Sequence, residues 1–321
     1  MKTLYLVIPC YNEEESLPET SKRLLQKVHD LEAQGRISLN SRILFVDDGS
    51  KDKTWSLISD LHKQDVHFAG LKLAHNRGHQ NALLAGLMTA KDHCDICISM
   101  DADLQDDIDA VDKMLDENDR GCDVVYGVRS SRKTDTFFKR VTAQSFYKFM
   151  NLMGVDVIYN HADYRLLNKN VLEGLAEYKE ANLFLRGIIP LIGYKSSSVT
   201  YERRQRFAGE SKYPLKKMIS FAFDGITSFS VKPIRWVTIL GFFIFLASIA
   251  FIIYSLVSKI LGYAVAGWTA TMISIWMIGG IQLLCLGIIG EYIGKIYTET
   301  KARPRFRLEA VELTLPSEKD A

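Results

Sequence analysis

Disulfides are the first thing this chain does without. Five cysteines in 321 residues do not make a disulfide framework and fit a reducing compartment. Cys94-x-x-Cys97 has redox or zinc spacing, but no second pair accompanies it and Cys97 falls in an apolar run. Both are read as small core residues. Net charge is nearly absent too, and a formal +2 argues against a whole-chain polyanion binder. There is no Gly-x-Gly-x-x-Gly and no Gly-Lys-Ser/Thr loop, so neither a dinucleotide fold nor a P-loop is supported. No signal peptide is expected, because residues 4–8 are too short for an apolar h-region and Pro9-Cys10-Tyr11-Asn12-Glu13 follows at once. His75, His79 and His93 lack a regular ligand spacing and are not read as metal ligands.

Charge is also missing locally. Residues 236–257 and 260–290 contain no Asp, Glu, Lys or Arg, and roughly 20 apolar residues span a bilayer core. Two transmembrane helices are therefore expected. Lys212, Lys216, Lys217, Lys232 and Arg235 precede the first run, and Lys295, Lys301, Arg303, Arg305 and Arg307 follow the second. Only Lys259 lies between them. This asymmetry places both termini and the large N-terminal part on the cytoplasmic side. The expected organisation is a cytoplasmic domain at 1–211, a juxtamembrane amphipathic segment at 212–234, a two-helix hairpin at 235–292 and a cytoplasmic tail at 293–321.

The N-terminal part alternates strands and helices. Short apolar runs at 4–8, 42–46, 68–73, 96–101 and 124–129 read as strands, with helical spacing at 13–29, 54–61 and 82–90. The pattern implies an α/β domain with a mainly parallel sheet flanked by helices. Polar clusters recur where strands end: Pro9 to Glu13, Asp47-Asp48, and Asp101-x-Asp103. Open α/β sheets bind ligands at that edge. An Asp-x-Asp pair ending a strand projects both acids to one side, which suits a hard cation such as Mg2+ or Mn2+. An acidic cap of the next helix is the competing reading, and the pair alone leaves both open.

Four segments together carry a resemblance: Val7-Ile-Pro-Cys-Tyr-Asn-Glu-Glu14, Val46-Asp-Asp-Gly-Ser-Lys-Asp-Lys-Thr54, Asn76-Arg-Gly-His-Gln-Asn-Ala-Leu-Leu-Ala-Gly86 and Asp101-Ala-Asp-Leu-Gln-Asp106. The chain resembles family-2 glycosyltransferases of the GT-A fold, and more narrowly the polyprenyl-phosphate glycosyltransferases. That group includes dolichyl-phosphate mannosyltransferase and the bactoprenol glucosyltransferases. The resemblance implies that Pro9, Tyr11 and Glu13 contact the nucleotide base and ribose, with Asp48 near the base. It further implies that Asp101 and Asp103, with Gln105 beside them, touch the donor and hold Mg2+ or Mn2+ on its diphosphate. Asp107-Ile108 stands where many relatives have Pro-Pro, which alters only the start of the next helix.

Later segments extend the reading. Arg129 is read as a phosphate contact and Arg132 as a solvated surface arginine. Residues 137–153 read as an amphipathic helix. Asn160-His-Ala-Asp-Tyr-Arg-Leu167 reads as a polar turn before a helix at 169–178. By resemblance Asp163 is the catalytic base candidate, although orienting the acceptor, or an ion pair with Arg165, remains open. Residues 195–201 read as a late strand. Glu202-Arg-Arg-Gln-Arg-Phe-Ala-Gly-Glu-Ser-Lys-Tyr213 resembles the family's acceptor loop, which assigns Arg203, Arg206 and Lys212 to the lipid phosphate; generic attraction to anionic lipid is the alternative. Residues 215–229 suit an interfacial helix.

The sequence thus leads to an inverting transferase that moves one sugar, glucose favoured, from a nucleoside-diphosphate sugar, UDP favoured, to a polyprenyl phosphate such as undecaprenyl phosphate. Its expected place is the bacterial inner (cytoplasmic) membrane, and the resemblance implies a homo-oligomer, with a tetramer as one form. Two rivals are a processive polysaccharide synthase and an inactive membrane-anchored sugar-nucleotide-binding scaffold. The first is weakened by Lys232-Pro-Ile-Arg-Trp236, which lacks the synthases' Gln. The second is weakened by the presence of Asp101, Asp103 and Asp163.

Overall fold

The computed structural model describes residues 1–129, 161–180, 183–202, 232–261 and 267–314. These fall into two compact units, one built from the N-terminal part plus the end of the chain, the other from two long helices.

The first unit is organised by β1 (Leu4–Cys10), whose seven residues are all buried. A continuous apolar run of this kind forms a strand covered on both faces, as central parallel strands are. β1 pairs in parallel with β2 (Arg42–Asp47) on one side and β4 (Ile96–Ser99) on the other, and β2 pairs in parallel with β3 (Phe68–Leu73). Leu4, Leu6 and Ile8 share one core with Leu17, Leu24, Val28 and Leu31 of α1 (Leu17–Ala33), Ile58 of α2 (Thr54–Gln64) and Val111 and Met114 of α4 (Ala110–Asp119). The opposite face is covered by α3 (His79–Ala90), which packs on β1, β2 and β4. Gly86 permits that approach: a Cβ there would lie 2.4 Å from Val7 Cγ1 and 2.8 Å from Val46 Cγ2.

Beyond β4 the sheet becomes mixed. β5 (Val124–Arg129) and β4 both pair antiparallel with β6 (His161–Asn168), and β5 pairs in parallel with β7 (Ser196–Tyr201). α5 (Lys169–Glu177) follows β6, capped by the Asn168 side chain accepting from the Val171 N–H at 3.0 Å. α6 (Leu185–Ile192) packs against α5. β8 (Leu308–Glu312) closes the far edge, so the strand order is β7-β5-β6-β4-β1-β2-β3-β8.

Three features depart from the sequence reading. The polar turn expected at 160–167 is β6, a strand inside the sheet. Its two-residue alternation was hidden because Tyr164 and Leu166 fill the core while Asp163 and Arg165, on the other face, form an ion pair. The tail drawn at 293–321 supplies β8, antiparallel to β3; a five-residue edge strand takes its stability from pairing, which local pattern does not show. α1 begins at Leu17, later than the expected 13, because Pro18 has no N–H to follow the Leu17 N–H bond to the Glu13 carbonyl with a second helical bond. Cys94 and Cys97 are buried free thiols, as expected.

The second unit contains α7 (Lys232–Ile260) and α8 (Trp268–Thr300). Among the described residues, one stretch, Met277–Thr300, is long and apolar enough to cross a membrane. The expected helices at 137–153 and 215–229, along with Arg132, Arg203, Arg206 and Lys212, lie outside the described residues.

Because valine side chains are stiff at χ1, Val7 and Val46 have little room to yield. Gly86→Ala is expected to destabilise the protein by about 1–3 kcal/mol, read as a lowered thermal midpoint. An unchanged midpoint would show that α3 can lift from the sheet without cost.

Candidate active site

The loops at the carboxyl ends of β1, β2 and β3 are tied into one edge by side chains bonding to backbone. After β1 the chain passes through Asn12 at φ 54°. The Asn12 N–H donates to Ser50 Oγ at 2.9 Å, and Asn12 Oδ1 accepts from the Lys51 N–H at 2.9 Å. The Glu13 N–H donates to Thr54 Oγ1 at 2.9 Å, while its carboxylate accepts from Ser16 Oγ at 2.6 Å. Tyr11 is exposed, and Pro9 is buried within β1.

After β2, Asp48 is buried, and its two oxygens accept from the Arg77 and Gly78 N–H groups at 2.7 and 2.9 Å. Burial raises its pKa against those two bonds. A Cβ on Gly49, at φ 67°, would lie 2.7 Å from the backbone of His75 and Asn76, so glycine is required there. Asp48 thus holds the turn that delivers His79 to the start of α3.

After β4 come the paired acids. Asp101 is 36% exposed, whereas Asp103 is buried and accepts from the Gln105 N–H at 3.1 Å. The turn is anchored to α1 by Thr20 Oγ1, which donates to the Ala102 carbonyl at 2.8 Å, and it passes through Leu104 at φ 56°. Asp106 follows, buried, accepting from the Tyr201 hydroxyl at 2.5 Å, with Arg129 Nη2 3.9 Å away. Burial first, then the nearby Asp101 carboxylate, push the Asp106 pKa up to about 6. Asp101 is raised too, by desolvation within the turn although its side chain is partly exposed, with His79 opposing and Asp163 and Asp103 assisting.

Asp163, on β6, stands among cations. Its carboxylate accepts from Arg186 Nε at 3.2 Å and Nη2 at 3.0 Å, and it pairs with Arg165. His79 Nε2 lies 3.7 Å from Asp163 Oδ2 and 3.7 Å from Asp101 Oδ1, bridging the two carboxylates. Burial would raise the Asp163 pKa, but Arg186, Arg165 and His79 hold it far below the usual carboxylate range. Arg165 is completely buried, and its Nε and Nη1 have no hydrogen-bond partner. Of the roles open to Asp163, the ion pair with Arg165 is formed.

The edge therefore brings together Asp101, Asp103, Gln105 and Asp163. Arg129 turns toward Asp106 and Tyr201. His79 and Arg186 were not anticipated from the sequence. A signal existed for each: His79 follows a strand at the same edge as the other polar clusters, and Arg186 is the lone charge in the apolar helix Leu185–Ile192. The carboxylates of one turn crowd each other, and Asp106 Oδ2 is buried without a hydrogen-bond partner. Such an oxygen-rich donor set fits a hard divalent cation.

Residues 5–176 match Glycosyl transferase family 2. The chain belongs to that family. Residues 232–296 match the GtrB C-terminal hairpin. The chain is 56% identical over 306 residues, 95% of its length and 91% of the relative's, to the uncharacterized glycosyltransferase YkoT of Bacillus subtilis (strain 168). It is 38% identical over 313 residues, 96% of this chain and 98% of the other, to the prophage bactoprenol glucosyl transferase homolog of Escherichia coli (strain K12). Against the bactoprenol glucosyl transferase of Shigella phage SfX the identity is again 38%, over 95% of this chain and 98% of the relative. This protein is accordingly a glycosyltransferase, and its mixed sheet flanked by helices agrees with the GT-A-type architecture expected for it.

Two measurements test the charges of this glycosyltransferase. Removing Asp163 strands Arg165 in the core, so Asp163→Ala is expected to cost about 3–5 kcal/mol of stability, and adding Arg165→Met is expected to recover much of it. Failure of the double variant to recover any would place the loss elsewhere. For Asp106, a folded pKa of about 6 against 3.8 means its neutral form stabilises the fold. That contribution is complete below about pH 4 and lost as pH rises through about 6. In EDTA, Asp106→Asn is expected to flatten the stability profile between those values. It is expected to exceed the parent by up to about 3 kcal/mol above pH 7, at about 1.4 kcal/mol per pKa unit.

Proposed function

We propose that this glycosyltransferase transfers one glucose from UDP-glucose to a polyprenyl phosphate such as undecaprenyl phosphate, with inversion, at the cytoplasmic face of the bacterial inner membrane. The observation that carries the acceptor class is the state of Asp163. A carboxylate paired with two guanidiniums is a weakened base, poorly matched to deprotonating an alcohol. A phosphate monoester, with a second pKa of about 6, needs no such help. Its oxygen is already an anionic nucleophile, and Asp163 serves to orient the cations around it. The names of the bactoprenol glucosyl transferase relatives support the same acceptor and glucose as the sugar.

Asp101, Asp103 and Gln105 would hold Mg2+ or Mn2+, which as a Lewis acid neutralises the charge of the leaving diphosphate. Tyr11 and Glu13, on the loop after β1, would meet the base and ribose, with Pro9 at the buried end of β1 beneath them and Asp48 fixing the 77–78 turn. The acceptor phosphate would be gathered by Arg203, Arg206 and Lys212, with Arg129 and Arg186 adding positive charge. The attacking oxygen enters opposite the diphosphate, so a single displacement inverts the anomeric centre.

The second unit supports membrane attachment. α7 and α8 expose large apolar side chains such as Phe242, Phe243, Leu283 and Leu286, as lipid-facing helices do. They are proposed to form a two-span hairpin with both ends cytoplasmic, and the protein is proposed to work as a homo-oligomer, a tetramer being one form.

The test is transfer of radiolabel from a panel of UDP- and GDP-sugars into extractable lipid, with purified protein, undecaprenyl phosphate and Mg2+ or Mn2+. One labelled lipid from UDP-glucose, lost with EDTA, is the expected result. No label from any donor while nucleotide binding is intact overturns the reading. Asp103→Ala is expected to cut metal-dependent transfer at least about a hundredfold, several kcal/mol of lost charge stabilisation. Arg206→Ala is expected to raise KM for the lipid phosphate far more than for the sugar nucleotide.

A further inference from the structure

The amino-terminal edge of the sheet, opposite the active-site loops, carries a second constellation of ligand-type side chains. His29 and Glu32 lie three residues apart in the last turn of α1, a spacing that places them on one face. His67 immediately precedes β3, and its carbonyl accepts from the Ile43 N–H at 2.7 Å, which fixes its backbone against β2. The His67 ring lies 5.1 Å from the His29 ring, edge to face at 80°. Nδ1 of His67 is 2.7 Å from Asp65 Oδ1, and Nε2 is 3.2 Å from Glu32 Oε1.

We propose that His29, Glu32 and His67 form a zinc site. Two imidazoles and one carboxylate are a nitrogen-rich, borderline donor set that suits Zn2+ better than Mg2+. The donor atoms lie within 4.8 Å of one another, against about 3.4 Å for ligands at about 2.1 Å from a tetrahedral ion. His29 is exposed, so rotation of its side chain supplies the remaining movement. Glu32 and His67, by contrast, are only 8% and 14% exposed and are already in place.

Asp65 completes the arrangement. Metal-ligating histidines characteristically donate their second ring N–H to a carboxylate, which sets the tautomer and orients the ring. Asp65 does this for His67: a proton on Nδ1 leaves the Nε2 lone pair facing Glu32. Asp65 is itself held by the His67 backbone N–H, donating to Oδ1 at 2.9 Å. His67 Nε2 already faces Glu32 Oε1 at 3.2 Å, and a bound zinc would lie between the two. Three protein ligands leave a fourth position for water. The bound ion would clamp the end of α1 to the segment entering β3 and so stabilise the edge formed by β2 and β3. It stands apart from the oxygen-only set of the active site and has no part in transfer.

The experiment uses the full chain in detergent, purified without a histidine tag and stripped with chelator. Zinc is titrated in the presence of excess Mg2+, with metal analysis after equilibrium dialysis and thermal unfolding as readouts. The expected result is one tightly held zinc and a thermal midpoint raised by several degrees. His29→Ala, at an exposed position, is expected to lose both, with affinity at least tenfold weaker. Asp65→Asn is expected to weaken binding about 10- to 100-fold, the usual effect of losing an outer-shell carboxylate. Asp103→Ala is expected to keep both, which separates this site from the active-site carboxylates. Zinc bound equally by the parent and His29→Ala, or no zinc retained by the parent, overturns the proposal.

Discussion

The charge cluster around Asp163 is the constraint on which the rest of the site depends. A fully buried arginine has no place in a sheet unless an anion accompanies it, since an isolated buried charge costs several kcal/mol. Arg165 meets that condition through Asp163 two residues earlier, on the same face of β6. The pair is thereby committed to the seam between β4 and β6. There the Ser99 hydroxyl donates to the Asp163 carbonyl at 2.6 Å, tying β6 to the strand that leads into Asp101. Arg186 and His79 approach the same carboxylate from two other elements. One aspartate thus gathers β6, α6 and α3 around the end of β4.

This electrostatic arrangement decides the chemistry available. A carboxylate saturated with cations is a poor base and a good anchor. The neighbouring turn is the opposite case: Asp101, Asp103 and Asp106 are pressed together, and desolvation works against the ionisation of Asp101 and Asp106. Cation excess gathers on one side of the edge, around Asp163, and anion excess on the other, around Asp101, Asp103 and Asp106. The proposed phosphate acceptor and metal-bound diphosphate match that division. Asp48 contributes at one remove, since its carboxylate is spent on the turn that carries Gly78 and His79.

Much of the first unit was legible because its strands are buried on both faces. Runs such as Leu4-Tyr-Leu-Val-Ile8 and Arg42-Ile-Leu-Phe-Val46 are apolar without interruption, and each ends in polar residues that serve as loops. β6 was not legible, because the face opposite Tyr164 and Leu166 carries charges that pair only in three dimensions. β8 was not legible either, because a short edge strand depends on a partner more than two hundred positions away. Arg186 belonged to the same class: its role exists only through Asp163.

By itself the sequence determined the alternation of strands and helices, the carboxyl-edge placement of Pro9 to Glu13, Asp48 and Asp101-x-Asp103, and two long helices near the C-terminus. Each of these is written in local periodicity, or in a strand end that any chain with this pattern must expose. Only the tertiary structure decided which charges face one another. It paired Asp163 with Arg165 and Arg186, set His79 between two carboxylates, and brought His29 and Glu32 to His67. The reason is physical: charge pairing and ligand geometry depend on distance in space, and residues far apart in the chain acquire that distance only when the sheet closes.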